Sequence, residues 1–283
     1  MRVVGGSTSQ LLAQRLAQKF GTSLEGLMEK RFPDGELYIR LPDLEGEDVV
    51  LVQNTYPDEA ITELNLLQDA VLEMKPLRLT TVIPYMGYAR QDKVFLPGEP
   101  ISARAIAQAI RGQVILVSPH KPSIKSLFPG DVSIVSGKGA IASWLSQRFP
   151  KTEMIIAPDK GAIALARNVA RELHCGYASM EKNRVDAEHV EVSASFDVGG
   201  KAVAIVDDII STGGTVIEVA RWLRAHGARR VYAGCVHGLF VGNSLPRVNE
   251  ACDEVGATDT VEGAASVASV AGAIVGAIKE RVK

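Results

Sequence analysis

Displaced against itself by about 150 residues, this 283-residue chain repeats its own order of elements, and that duplication limits the fold more than any motif. Val49–Thr55 falls on Val203–Ile209, and an amphipathic helical pattern follows each. Val3 and Val4, with a helical pattern over Thr8–Phe20, fall on Met154–Asp159 with a pattern over Gly161–Leu173. Glu36–Leu41 falls near Val190–Ser195, both alternating, and Thr81–Pro84 matches Arg230–Ala233. Strand patterns that alternate with helical ones predict an α/β protein. Apolar runs without polar alternation predict strands buried on both faces, as in a parallel sheet. The chain therefore reads as two similar α/β domains joined within residues 136–150, taken as 1–140 and 141–283, with the last helix able to pack back on the first domain. Its length suits two cores.

The copies differ where one strand ends. In the second, Val203–Val206 leads into Asp207 and Asp208, then Ser211, Thr212, Gly213, Gly214 and Thr215, then a helical run over Val216–Ala225. A helix N-terminus presents unpaired N–H groups and partial positive charge, so hydroxyls and glycines placed just before it suit a phosphate. The aspartates cannot bind that anion and suit vicinal hydroxyls or a divalent cation. Helix capping alone needs one such residue, not two carboxylates, three hydroxyls and two glycines in nine positions. The segment reads as a ribose-phosphate cradle. The first copy has Gln53, Asn54 and Thr55 at this point and no glycines, so only the C-terminal half is expected to hold a sugar phosphate.

Composition excludes several classes. Net charge is -2 and aromatics make up 5%, which argues against a nucleic-acid partner. The apolar segment Ser266–Ile278 is too short and too rich in Ala and Gly to span a bilayer, and Met1–Gly6 enters a strand with no secretory apolar region. Three cysteines without a CxxC pair predict reduced thiols and a cytoplasmic location.

Other loops carry chemistry that folding does not require. Arg31–Glu36 brings Phe32, Asp34 and Glu36 around a Pro/Gly bend, which alone reads as a hairpin turn. Arg90, Gln91, Asp92 and Lys93 follow a buried strand and suit either a polyphosphate and a base edge or a solvated loop. His120 ends the strand Val114–Val117, where a residue faces the ligand crevice of an α/β sheet although a lone His is more often structural, and Asp159 stands at the C-terminal end of another strand. Met180–Asp186 is a charged loop that by itself reads first as a solvent-exposed loop, and whose Lys182 and Arg184 could alternatively close over a phosphoryl group. Gly137-Lys-Gly139-Ala-Ile-Ala142, with Asp159 twenty residues after Gly139, formally satisfies the dinucleotide fingerprint. Its strand is short and begins at a polar residue, and the duplication would go unexplained. The chain contains no Walker A motif.

Taken together, RFPDGE at Arg31–Glu36, YARQDK at Tyr88–Lys93, PDKG at Pro158–Gly161, DDIISTGGT at Asp207–Thr215 and HGLFVGN at His237–Asn243 resemble ribose-phosphate pyrophosphokinases, the archaeal branch most closely. The resemblance covers nearly the whole chain. It implies two phosphoribosyltransferase-type (type I) domains and Mg2+-dependent transfer of the pyrophosphoryl group of ATP to the C1 hydroxyl of ribose 5-phosphate, with Mn2+ as a substitute metal. It further implies that Phe32, Asp34, Glu36, Arg90, Gln91 and Asp92 bind ATP, that His120 and Asp159 meet the metal and triphosphate, and that Lys182 and Arg184 are catalytic. Asp207 and Asp208 would take the ribose hydroxyls, and Ser211, Thr212, Gly213, Gly214 and Thr215 the 5-phosphate. In that family the ATP-side loops meet across a subunit interface, which implies at least a homodimer. The chain departs from the pattern at Ser211, where many relatives carry Asp, and at Ser118-Pro119 before His120, where Asp-Leu is usual. Two alternatives stay open: a phosphoribosyltransferase joined to a degenerate copy, and a regulatory homologue without turnover.

Overall fold

The computed structural model describes residues 1–184, 190–193 and 196–282, with backbone alone at 182–184, 190–193 and 282. The chain divides into two compact units: Met1–Ser136 with Thr260–Glu262 and Ser269–Lys283, and Gly137–Asp259 with Gly263–Ala268.

The first unit runs β1 (Arg2–Gly5), α1 (Gln10–Phe20), β2 (Met28–Arg31), β3 (Leu37–Arg40), β4 (Asp48–Val52), α2 (Asp58–Glu73), β5 (Arg78–Ile83), α3 (Ser102–Ala107), β6 (Gln113–Val117) and β7 (Val132–Val135). Its sheet has the order β1-β4-β5-β6-β7 and is parallel throughout. Val49, Val50, Leu51 and Val52 are all buried, as strands covered on both faces require. The antiparallel pair β2–β3 stands outside that sheet.

The second unit runs α4 (Lys138–Arg148), β8 (Met154–Ala157), α5 (Ile163–Leu173), β9 (Gly176–Ser179), β10 (Glu181–Arg184), β11 (Val190–Ser193), β12 (Ala202–Ile210), α6 (Gly214–Ala225), β13 (Arg230–Gly238), α7 (Ser244–Ala251), β14 (Glu254–Thr258) and β15 (Ser266–Ala268). Six parallel strands lie in the order β15-β14-β13-β12-β8-β9, and β10–β11 forms a separate antiparallel pair. The duplication is visible in the register. Val4 sits opposite Leu51, as Ile156 sits opposite Ile205. Even the second unit's additional strand β9 has a trace in the first, where Leu24 makes a single parallel bridge to Val3.

The last helix, α8 (Ala271–Val282), follows β15 of the second unit in sequence but belongs to the first. It packs on α1 and β7, burying Ala271, Ile274, Val275 and Ile278, and Arg281 binds Ser133 and Asp131. Conversely, α4 follows β7 of the first unit but belongs to the second, where it packs on α5. The two units thus exchange their terminal helices.

That exchange also disposes of the dinucleotide reading. The strand before Gly137 and the helix after it belong to different units, so they are no strand–turn–helix of one sheet. A Cβ on Gly137 would lie 2.6 Å from Val236 Cγ1, so this glycine serves close packing against β13. Among the described residues, no helix is long and apolar enough to cross a membrane.

Candidate active site

Strand β12 does not stop where its apolar run stops. It continues through Asp207 and Asp208 to Ile210, because the equally long β13 supplies partners, with Asp207 opposite Cys235 and Ile210 opposite Gly238. The aspartates therefore stand within the strand's C-terminal end instead of beyond it. Asp207 Oδ1 accepts from the Asp208 amide at 2.8 Å, and Asp208 Oδ1 from the Ile209 amide at 2.9 Å. Burial, then the neighbouring Asp208 and, more weakly, Asp159, pushes the Asp207 carboxyl up to about 8. Asp159 follows β8, the strand paired with β12, and its Oδ1 accepts from the amides of Gly161 and Ala162 at 2.9 and 3.3 Å. Three carboxylates thus gather at the ends of adjacent strands.

The loop that follows is held from behind. The Ile210 carbonyl accepts from Leu239 and Phe240, and the Ser211 carbonyl from the Val241 amide and the Ser244 hydroxyl, both at 3.0 Å. Gly213 has φ of 75°, the left-handed region, and a Cβ there would lie 2.4 Å from Val248 Cγ2. Gly213 is also the N-cap of α6 and brings no capping oxygen of its own. The HGLFVGN segment, a motif without an assigned role at the sequence level, is the buttress of this loop.

At the corresponding strand end of the first unit the chemistry is inverted. Gln53, Asn54 and Thr55 are buried, and a helix carboxylate, Glu63, fills the space. Glu63 accepts from the Ser7 amide at 2.7 Å, from the Ser7 hydroxyl, and from Gln53 Nε2 at 2.9 Å. Asn54 accepts from the Tyr85 amide at 2.7 Å, and Thr55 Oγ1 from the Gly87 amide at 2.8 Å. Acidic charge here is already met by donors from the chain.

The RFPDGE segment is the turn of the β2–β3 hairpin. Phe32 and Glu36 close it at 2.9 Å, the Glu36 amide donates to Asp34 Oδ1 at 3.1 Å, and the exposed Phe32 ring lies 5.4 Å from Lys30 Nζ. In the loop after β5, Ser102 Oγ donates to Gln91 Oε1 at 2.5 Å and Asp92 pairs with Lys121 at 2.8 Å, while Arg90 and Lys93 are exposed. Hydrogen bonding from Lys121 holds the Asp92 carboxyl below the usual carboxylate range. His120, exposed, follows β6 in the same unit. The segment expected as a charged loop over 180–186 begins instead as strand β10, with Lys182 opposite Val192 and Arg184 opposite Val190. The side chains of Lys182 and Arg184, and all of Asp186, lie outside the described residues. Among the described residues, no group of three or more His, Cys, Asp or Glu stands ready to hold a metal by itself.

Two parallel α/β units, one with an acidic strand end and a glycine-pivoted helix start, define a phosphoribosyltransferase-type protein in duplicate. Residues 1–112 match the N-terminal domain of ribose phosphate pyrophosphokinase, and residues 134–268 the phosphoribosyl transferase domain. The chain is 40% identical to a ribose-phosphate pyrophosphokinase of Methanosarcina acetivorans and 37% identical to that of Methanopyrus kandleri, each over 99% of both chains. It is similar to the crystal structure of phosphoribosylpyrophosphate synthetase from Mycobacterium smegmatis, with a TM-score of 0.85 and 25% identity over 99% of this chain and 98% of that one. The chain belongs to the ribose-phosphate pyrophosphokinase family, enzymes that transfer a diphosphate group.

Proposed function

We propose that the chain transfers the pyrophosphoryl group of ATP to the C1 hydroxyl of ribose 5-phosphate, giving 5-phosphoribosyl 1-diphosphate and AMP, with residues 1–140 as the ATP side and 141–283 as the sugar side. The observation that carries this division is the inversion between the two strand ends. Asp207 and Asp208 stand before an open helix start, whereas Glu63 closes the equivalent place in the first unit. Asp207 and Asp208 take the ribose hydroxyls. Ser211, Thr212 and Thr215, with the amides of Gly213 and Gly214, take the 5-phosphate.

Phe32, Asp34 and Glu36 border the adenine, and Arg90, Gln91 and Asp92 form the loop that meets ATP. A Mg2+ ion fits this donor set. The neighbouring carboxylates of Asp159, Asp207 and Asp208 are hard oxygen ligands, and Mg2+ normally takes one or two protein ligands and completes its shell with phosphates and water. His120 and Asp159 are the residues that would hold it, and when bound it would offset phosphate charge. In the transfer, the C1 hydroxyl oxygen bonds to the β-phosphorus as the bond from that phosphorus to the α,β-bridging oxygen breaks, the hydroxyl proton passes to solvent water, and negative charge grows on the leaving AMP oxygen. Lys182 and Arg184 neutralise that charge. Gripping the sugar at its hydroxyls and its phosphate holds the C1 hydroxyl in line, the main requirement for a reaction without a covalent intermediate. We further propose at least a homodimer.

The test is AMP release from ATP in the presence of Mg2+ and ribose 5-phosphate. AMP that appears only when the sugar phosphate is present supports the reading. No AMP at saturation, with pyrophosphate released instead from 5-phosphoribosyl 1-diphosphate and a base, would replace it with a phosphoribosyltransferase.

A further inference from the structure

One ion pair on the ATP side joins Asp92 to Lys121, a residue with no part in the roles given above. Lys121, next to His120, donates from Nζ to both carboxylate oxygens of Asp92, at 3.0 Å to Oδ1 and 2.8 Å to Oδ2. The contact joins the turn after β6 to the loop after β5, two segments of the same unit. The Asp92 side chain is 13% exposed, so the pair is set into the surface. Its neighbour Gln91 is fixed as well, through its side chain by Ser102 and through its carbonyl by the Ala103 amide at 3.2 Å. The flanking cations Arg90 and Lys93 are left at the surface.

Electrostatics makes this arrangement informative. Among residues 90–93, Asp92 is the only anion, and a bare carboxylate there would repel a polyphosphate that Arg90 and Lys93 attract. Turned inward onto an ammonium, it becomes an anchor for the loop and its charge is cancelled. We infer that Lys121 is a positioning residue for ATP, holding Asp92 so that the loop presents Arg90 to the triphosphate. Asp92 then serves ATP through Lys121 and not by touching it. This rests on the assignment of the loop to ATP.

The experiment uses the full chain and measures ATP affinity by equilibrium dialysis with Mg2+, together with KM for each substrate and the melting temperature. Lys121→Ala should weaken ATP binding and raise its KM about fivefold, the upper range for one partly exposed pair, with KM for ribose 5-phosphate and the melting temperature unchanged. Lys121→Arg should bind as the parent does. The reversed pair, Asp92→Lys with Lys121→Asp, should recover most of what either single change loses. Failure of the reversed pair to recover would mean that one of the two residues touches ATP directly, which overturns the positioning role. Arg90→Ala is the reference. If it weakens ATP binding while Lys121→Ala does not, the inference fails and the ATP assignment stands. If neither changes affinity, the ATP assignment of the loop itself is wrong.

Discussion

At the scale of residues, Asp207 sets an unusual pH dependence. Asp207 is raised from 3.8 to about 8, so between those values the folded chain keeps a proton that the unfolded chain has released. Stability is then fully present at the acid end and declines as pH rises through the window, the reverse of an ordinary paired carboxylate. Thermal unfolding of the ligand-free protein from about pH 5 to pH 8 should show a falling melting temperature. Asp207→Asn should flatten that profile and raise its alkaline end, and an unchanged slope in the variant would contradict the assignment. Gly213→Val is expected to raise KM for ribose 5-phosphate, since a β-branched residue at φ of 75° and against Val248 displaces the loop at a cost of about 1–3 kcal/mol in strain. Initial-rate kinetics would detect a misassigned cradle as a shift in KM for ATP instead. Lys182→Ala should lower kcat by roughly 10²–10³ with ribose 5-phosphate affinity retained, the pattern of a contact made in the transition state. A parallel loss in sugar affinity, measured by titration calorimetry, would place Lys182 in the ground-state site.

Elements were legible in the sequence to the degree that their burial repeats. Strands covered on both faces announce themselves as unbroken apolar runs, which is why β4, β8 and β12 were visible, and the duplication followed from them. The end of β12 was not visible, because Asp207 and Asp208 break the apolar run while backbone pairing to β13 continues beneath them. Gly213 advertised a backbone that only glycine adopts easily, but Val248 and Ser244, which pack against this loop, reach it from α7 and left no local signature. The Asp92–Lys121 pair was equally silent, since side chains 29 positions apart meet only after β5 and β6 have aligned. Amphipathic helices state that a face is buried and not which sheet buries it. For α8 that face holds Ile274, Val275 and Ile278, each worth about 1.5–3 kcal/mol when buried. Ending the chain at residue 268 should therefore lower the melting temperature sharply by calorimetry, and an unchanged transition would mean that α8 is dispensable.

For the molecule as a whole, duplication followed by divergence gives one fold two chemically different strand ends. The second unit keeps its strand end acidic and starts the following helix without a side-chain cap. The first unit completes itself with Glu63, and its distinctive surface is the loop at Arg90–Lys93. The exchange of α4 and α8 has a consequence in time. A chain made from its N-terminus onward emerges from the ribosome with the face of α1 that α8 will cover still bare, and it stays bare until residues 271–282 have been synthesised. The first unit to be translated is thus the last to be finished.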